Sequence, residues 1–329
     1  MVYTELVGNA FCIVRRKTVK KRRIFLKGVH FMLHIIERTH KVKGLKEPKN
    51  IAVWADMHLT YMDERENEYS QKLKQERSYL FPNGDRCFKE IREYIKQTNP
   101  DLVVSVGDFI DFPSHANLEV QDDFFNNDCR EHLVVLGNHD WNYPRFYNTM
   151  HYWLGNVPKF YNVLKNENPL VQTVDLGGVL VVGIDTASDR IFPDTLKQLK
   201  EVIALGKPII LAMHVPFYTE KMVKKAMEID HMDRPLTVGV PKELHEALKN
   251  CNWLENTPES DEFLTIVNDP NVPIVASLTG HLHFEHFEHD YLFEDEHIPG
   301  RMQYGLRISA PQLTDEGCVF LMHLEPDND

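Results

Sequence analysis

What this chain lacks narrows the field before what it contains. No run of 18 apolar residues occurs in its 329 residues, so the hydropathy signature of a membrane-crossing helix is missing. Cysteine is scarce: Cys12, Cys87, Cys129, Cys251 and Cys318 are scattered, odd in number and without a C-x-x-C spacing. That pattern excludes a zinc ribbon and a disulfide framework, and it points to reduced thiols in a cytoplasmic protein. No internal repeat or low-complexity tract is found, and 43% hydrophobic residues with 26% charged exclude a disordered or collagen-like chain. Near the N-terminus a short apolar stretch is followed by Arg15, Arg16 and Lys17, the reverse of a secretory leader's order.

The formal net charge of -12 is unevenly spread. Residues 1–50 hold thirteen Lys/Arg against three acids, a balance of +10, and the remainder carries 24 against 46, or -22. An acidic body repels nucleic acid at long range and suits a protein that gathers cations at one place. The same contrast divides the chain into a basic N-terminal extension, 1–47, and a main domain, 48–329. In the extension, the basic run Arg15 to Arg23 precedes an apolar stretch from Ile24 to Ile36. One reading folds it as strands or a helix against the main domain, with its lysines solvated. The other makes it an amphipathic anchor for an acidic partner, a membrane surface or a second subunit.

From residue 50 short apolar runs rich in Val and Ile appear at Ile51–Ala55, Leu102–Val106, Leu133–Leu136, Val179–Val182, Ile209–Met213 and Ile274–Leu278. Their length and composition suit buried strands. Helical spacing lies between some of them, at Phe88, Ile91 and Ile95 and again at Leu196, Leu199 and Ile203. Strands alternating with helices predict an α/β fold with largely parallel strands. Two stretches break the rhythm and are expected at the rim of a site. Thr60 to Asp85 is polar and charged. The other, within the insert 216–269, carries helical patterns near Met222–Met227, Pro241–Asn250 and Asp261–Val267.

Chemistry concentrates at the ends of the apolar runs. Ile51–Ala55 leads into Asp56-Met57-His58, and Leu102–Val106 into Gly107-Asp108-Phe109-Ile110-Asp111. Leu133–Leu136 leads into Gly137-Asn138-His139-Asp140, Ile209–Met213 into His214, and Ile274–Leu278 towards Gly280-His281-Leu282-His283. In open α/β sheets the C-terminal strand ends are where ligands bind. Hard oxygen with imidazole nitrogen, and no thiolate, is a donor set for Mn²⁺, Fe or Zn²⁺. Each block alone has an innocent reading as a turn or a buried histidine; five in order do not.

The order D-x-H, G-D-x-x-D, G-N-H-D, H, G-H-x-H resembles the calcineurin-like metallophosphoesterases, over roughly residues 50 to 329. The resemblance implies a four-layer α/β/β/α sandwich of two mixed sheets flanked by helices, with a binuclear metal centre at the strand C-terminal ends. It implies one divalent ion on Asp56, His58, Asp108 and His283, and a second on Asp108, Asn138, His214 and His281, with Asp108 as the bridge. His139 would then face the leaving-group oxygen, with Asp111 orienting it. The activity implied is hydrolysis of a small phosphomonoester or phosphodiester by attack of a metal-bridging hydroxide, with Mn²⁺ the foremost metal pair and Fe or Zn²⁺ as alternatives.

The residues themselves agree with this. Asp56 and His58 are two apart, so an extended chain would point both the same way. One carboxylate has two oxygens and can span two cations. Asn138 adds a ligand without charge, so two carboxylates face two dications and the site stays positive, as a phosphate needs. Asp140 reads as structural and Asp185 as a turn residue. Phe112, Pro113 and Asp140 stand where protein Ser/Thr phosphatases of this superfamily have Arg-Gly and Glu, and Asp111 stands where purple acid phosphatases have a metal-binding Tyr. Both departures argue against those branches. Arg145, Arg190, Arg234 and Arg301 are candidates for gripping phosphate, and His286 and His289 in the His-rich segment for extra ligation. The competing functions are a nuclease of the same superfamily, a poor match to the acidic body, and a non-catalytic scaffold, which loss of ligands would favour.

Overall fold

The computed structural model describes residues 20–26, 29–143, 147, 149–165, 169–230, 237–244, 256–284, 286–290, 301–305 and 317–327. In chain order its elements begin with β1 (Lys20–Leu26), β2 (Val29–Lys43), β3 (Lys49–Trp54), α1 (Glu68–Leu80), α2 (Gly84–Thr98), β4 (Leu102–Val106), α3 (His115–Asp123) and β5 (His132–Val135). They continue with α4 (Asn138–Trp141), α5 (Met150–Asn156), β6 (Val171–Asp175), β7 (Leu180–Ile184), α6 (Pro193–Ile203) and β8 (Ile209–Met213). The last are α7 (Glu220–Asp230), α8 (Pro258–Asn268), β9 (Ile274–Thr279), β10 (His286–Asp290), β11 (Arg301–Gly305) and β12 (Cys318–Asp327).

Among the described residues, twelve strands form two six-stranded sheets, ordered β1-β2-β12-β3-β4-β5 and β10-β11-β9-β8-β7-β6. Both are mixed. β3, β4 and β5 run parallel, while β12 is antiparallel to β3 and parallel to β2. In the second sheet β7, β8, β9 and β11 are parallel, and β6 and β10 are antiparallel edges.

Alternation of side chains along each strand divides the core into layers. On β3, Ile51 and Val53 turn inward to pack with Val104, Val106, Leu133 and Val135, and with Val181, Ile210, Ala212, Ala276 and Leu278 of the facing sheet. Ala52 and Trp54 turn outward to the layer of Phe88, Ile91 and Ile95 from α2, together with Phe124 and Phe125. On the far side, Leu211 and Met213 belong to the cluster that holds Leu196 and Leu199 of α6 and Phe263 of α8. Burial on both faces explains why the central strands read as unbroken apolar runs. This is the α/β/β/α sandwich that the family resemblance implies.

The N-terminal segment joins that sandwich from Lys20 onward, where β1 pairs antiparallel with β2. β2 pairs with β12 from His34↔Cys318 to Lys43↔Asp327, and Leu33, Ile35, Ile36 and Val42 are buried. The first sheet therefore crosses the boundary expected at residue 47, and residues 1–19 lie outside the described residues. Of the helices expected in the insert, Met222–Met227 lies within α7 and Asp261–Val267 within α8. For Pro241–Asn250, a single 3-10 turn at Lys242–Leu244 is described and 245–250 lie outside the described residues.

Phe320 on β12 is fully buried between the two sheets. Phe320→Ala should lower unfolding free energy by about 3–5 kcal/mol, the usual cost of deleting a buried aromatic ring. A urea titration followed by tryptophan fluorescence measures it, and a loss under 1 kcal/mol would show that the inter-sheet core tolerates the gap.

Candidate metal centre

The parallel strands of both sheets end at one edge, and their C-terminal tips carry the chemistry. β3 delivers Asp56 and His58, β4 delivers Asp108 and Asp111, and β5 delivers Asn138 and His139 at the start of α4. β8 delivers His214, and β9 delivers His281 and His283. Asp56, His58, Asp108, Asp111, His139, His214 and His281 are all buried. Half-buried His283 and Asn138 complete the group.

The local backbone differs from the extended one expected at D-x-H. Asp56 and His58 have φ of 55° and 48°, and Asp108, His281 and His283 have 52°, 70° and 55°. All five lie in the left-handed region, which costs energy for any residue with a Cβ but is least costly for Asp, Asn and His. The turns after β3, β4 and β9 fold these side chains back over the strand tips; alternation along an extended chain does not aim them. The motif glycines serve the same end. A Cβ on Gly107 would overlap the His214 ring, and one on Gly137 would overlap Asp108.

Two donor sets meet at Asp108. In the first, the His58 and His283 Nε2 atoms stand 3.1 Å apart, His283 Nε2 is 3.2 Å from Asp56 Oδ1, and His58 Nε2 is 3.7 Å from Asp108 Oδ2. Ligand atoms bound at roughly 2.1 Å in an octahedron lie about 3.0 Å from each other, so these separations fit one shared cation. Asp56, His58, Asp108 and His283 form a cluster able to hold a metal ion. In the second set, His214 Nε2 and His281 Nδ1 each lie 3.1 Å from Asn138 Oδ1, and His214 Nε2 lies 3.3 Å from Asp108 Oδ2. A further cluster joins His58, Asp111 and His139.

Hydrogen bonds behind the imidazoles set their tautomers. The His214 Nδ1–H donates to the Val106 carbonyl at 2.8 Å, and the His58 Nδ1–H donates to Asp111 Oδ1 at 2.9 Å. Each leaves Nε2 facing the centre, the arrangement of a metal-ligating histidine. Burial pushes the His58 pKa down to about 4, so it stays neutral with a free lone pair. At His214 burial opposes protonation, but the Asp108 and Asp56 carboxylates reverse this and carry its pKa to about 10. Burial also disfavours the ionised Asp108, yet His214, His139 and His58 hold it well below the ordinary carboxylate range. The centre thus draws in positive charge.

Asp140 braces the two loops. Its carboxylate accepts from the N–H groups of Asp108 at 2.9 Å, Ile110 at 3.1 Å and Gly137 at 2.6 Å. The His139 N–H donates to Asp108 Oδ1 at 2.8 Å, so α4 also grips Asp108 from its other side. The His139 ring points Nδ1 at Asp111, 3.0 Å from Oδ1 and 3.1 Å from the backbone carbonyl. Asp185 accepts from the Trp153 indole at 2.5 Å and from Ala187 N–H, a turn that is also tied to α5, and burial pushes its pKa up to about 6.

Three residues of this site had no signal in the sequence. Arg77 on α1 donates from Nε at 2.6 Å and Nη2 at 2.8 Å to the two oxygens of Asp111. Phe81 stacks on His58 with ring centroids 4.1 Å apart, and Tyr143 stacks on His139 at 4.5 Å. The four-residue spacing of Arg77 and Phe81 put them on one helical face, but nothing in the order of residues said that this face meets Asp111. Of the arginines the sequence offered, Arg190 makes no hydrogen bond or ion pair to the site residues among those described, its backbone carbonyl accepting instead from the Ser188 hydroxyl. Arg145 and Arg234 lie outside the described residues, as do the side chains of Arg301, His286 and His289.

Comparison with known proteins gives the family. The chain matches the family model for calcineurin-like phosphoesterases over residues 49–285, and it belongs to that family. Members bind divalent metals in a dinuclear site, and the residues gathered here can hold metal. No curated protein sequence matches it. Among solved structures it is similar to a purple acid phosphatase from yellow lupin (Lupinus luteus) seeds, at 15% identity with a TM-score of 0.47, covering 86% of this chain and 48% of that one. The chain thus spans about half the length of the lupin protein. It is also similar to a dimetal phosphatase from Danio rerio, at 11% identity, TM-score 0.48, covering 86% and 94%. A phosphopantetheinyl hydrolase from Mycobacterium tuberculosis gives 11% identity, TM-score 0.42, covering 81% and 91%. Among the described residues, no helix is long and apolar enough to cross a membrane.

Asp140→Ala would leave three N–H groups without their acceptor. Since an unsatisfied buried donor costs about 1–3 kcal/mol, urea unfolding should show a loss of about 3 kcal/mol, and bound metal measured by mass spectrometry should fall with it. Unchanged metal content at full stability would show that the two loops hold Asp108 without this brace.

Proposed function

We propose that this protein is a binuclear-metal phosphoesterase that hydrolyses a small phosphomonoester or phosphodiester. One observation carries the reading: two donor sets share Asp108, and a buried imidazole outside both, His139, is aimed by a carboxylate. Asp56, His58, Asp108 and His283 would hold one divalent ion, and Asp108, Asn138, His214 and His281 the other, with Mn²⁺ proposed and Fe or Zn²⁺ as alternatives. Bound metal supplies Lewis acidity towards phosphoryl oxygens and lowers the pKa of water.

The chain's own groups do the rest. Asp56 and Asp108 bring two negative charges and Asn138 none, so a loaded site keeps the positive charge that draws a phosphate. His139 provides the proton for the leaving oxygen. Burial disfavours its imidazolium, but the charge of Asp108 and the hydrogen bond to Asp111 more than offset this, and its pKa stands above the ordinary histidine value. Asp111 accepts the Nδ1–H, which leaves Nε2 to deliver the proton. Asp111 itself is held well below the carboxylate range, against its burial, by Arg77, His139 and His58. It therefore stays anionic and stabilises the cation beside it.

A panel of phosphate esters offered to the Mn²⁺-loaded protein tests the reading; no turnover with two metals bound would refute it. Asp108→Asn should lower metal stoichiometry and activity together, because the anion shared by both cations is lost. Two metals per chain in the variant, at wild-type turnover, would remove Asp108 as the bridge. His139→Ala should keep its metals and lose roughly 10²–10⁴ in kcat on alkyl esters, the usual range for a general acid. A nitrophenolate leaves without a proton, so the loss on nitrophenyl esters should be small. An equal loss on both, or loss of metal, would make His139 a positioning group or a ligand.

A further inference from the structure

Helix α1 buries no side chain, yet it sends one charged group to the heart of the site. Arg77 is 16% exposed and Asp111, its partner, 0%. The guanidinium meets the carboxylate with Nε on Oδ2 at 2.6 Å and Nη2 on Oδ1 at 2.8 Å. Two parallel donors fix the plane of a carboxylate as well as its position. The ring of Phe81 lies 4.9 Å from the guanidinium carbon and that of Tyr143 lies 5.0 Å from it. Those same two rings stack on His58 and His139.

Asp111 Oδ1 also receives the Nδ1 atoms of His58 at 2.9 Å and of His139 at 3.0 Å. One oxygen thus orients a metal-facing imidazole and the proposed acid together. A buried carboxylate serving two imidazoles needs a fixed orientation and a compensating charge, and Arg77 provides both. We infer that Arg77 is the positioning residue that aims His58 and His139 at once, by clamping Asp111 from a helix outside the metal-bearing strand tips. The inference rests on the phosphoesterase reading for its kinetic arm alone.

Arg77→Met removes the clamp, and Arg77→Lys keeps the charge without the fork. Partners that orient a metal ligand typically affect affinity or activity 10–100-fold. Calorimetric titration with Mn²⁺ should therefore show a Kd raised roughly 10–100-fold in Arg77→Met. At saturating Mn²⁺, kcat on an alkyl phosphate should fall by a similar factor, with less effect on a nitrophenyl phosphate and KM within about twofold. Arg77→Lys should recover little of this, because an ammonium makes no planar pair. Guanidinium chloride at millimolar concentration should restore part of the kcat of Arg77→Ala. Raised KM on both esters at unchanged kcat would make Arg77 a phosphate-gripping residue and overturn the inference. Wild-type Mn²⁺ affinity in Arg77→Met would overturn it too. Should Arg77→Met fail to fold by circular dichroism, Arg77→Lys carries the same comparison. If the wild type binds two Mn²⁺ but hydrolyses neither ester, the phosphoesterase reading fails while the calorimetry still judges Arg77.

Discussion

Asp108 is a carboxylate 2% exposed at the tip of a buried parallel strand, with a second buried carboxylate, Asp56, in the same site. Two such anions taken out of water are tolerable where cations or many donors meet them. The surroundings of Asp108 answer that demand. Asp140 holds its backbone N–H, the His139 N–H caps one oxygen, and His214 and His58 face the other. The left-handed backbone at five of the site residues is a cost of the same arrangement, since sharp turns at the tips of β3, β4 and β9 let these donors converge.

Convergence also requires both sheets. Asp56, His58, Asp108 and Asn138 come from the tips of the first sheet, and His214, His281 and His283 from the second. The His281 N–H donates to both oxygens of Asp56 at 3.0 Å, and His214 donates to the Val106 carbonyl across the sheets. The inter-sheet core of Val53, Val104, Val106, Ile210, Ala212 and Leu278 therefore does more than stabilise the fold, because it sets the distance between two half-sites. Close packing of such cores makes that distance stiff.

A second layer converts position into chemistry. Val106 and Asp111 choose the histidine tautomers, and Phe81 and Tyr143 cover ring faces that would otherwise turn. This layer is assembled from β4, the segment after α4, and α1 with the residue that ends it. It explains how a polar helix with no buried side chain stays docked, through Arg77 on Asp111 and Ser78 paired with Thr60 at 3.0 Å.

The sequence alone determined the central strands and the residue types at their ends. A strand buried on both faces must be an unbroken apolar run, and a ligand must follow the run directly, so both leave a local trace. It also read Asp140 as structural; that its carboxylate reaches back to the N–H groups of Gly137, Asp108 and Ile110 came from the fold. Only the tertiary structure decided which side chains meet. β2 and β12 lie side by side although some 275 residues separate them in the chain, and no local pattern encodes that pairing. The fold, not an extended D-x-H, aims Asp56 and His58, because a left-handed turn is set by what closes over it. Arg77, Phe81 and Tyr143 sit in stretches whose composition suits a solvated rim; their meeting with Asp111, His58 and His139 follows from how α1 docks, a matter of long-range packing that residue order does not express.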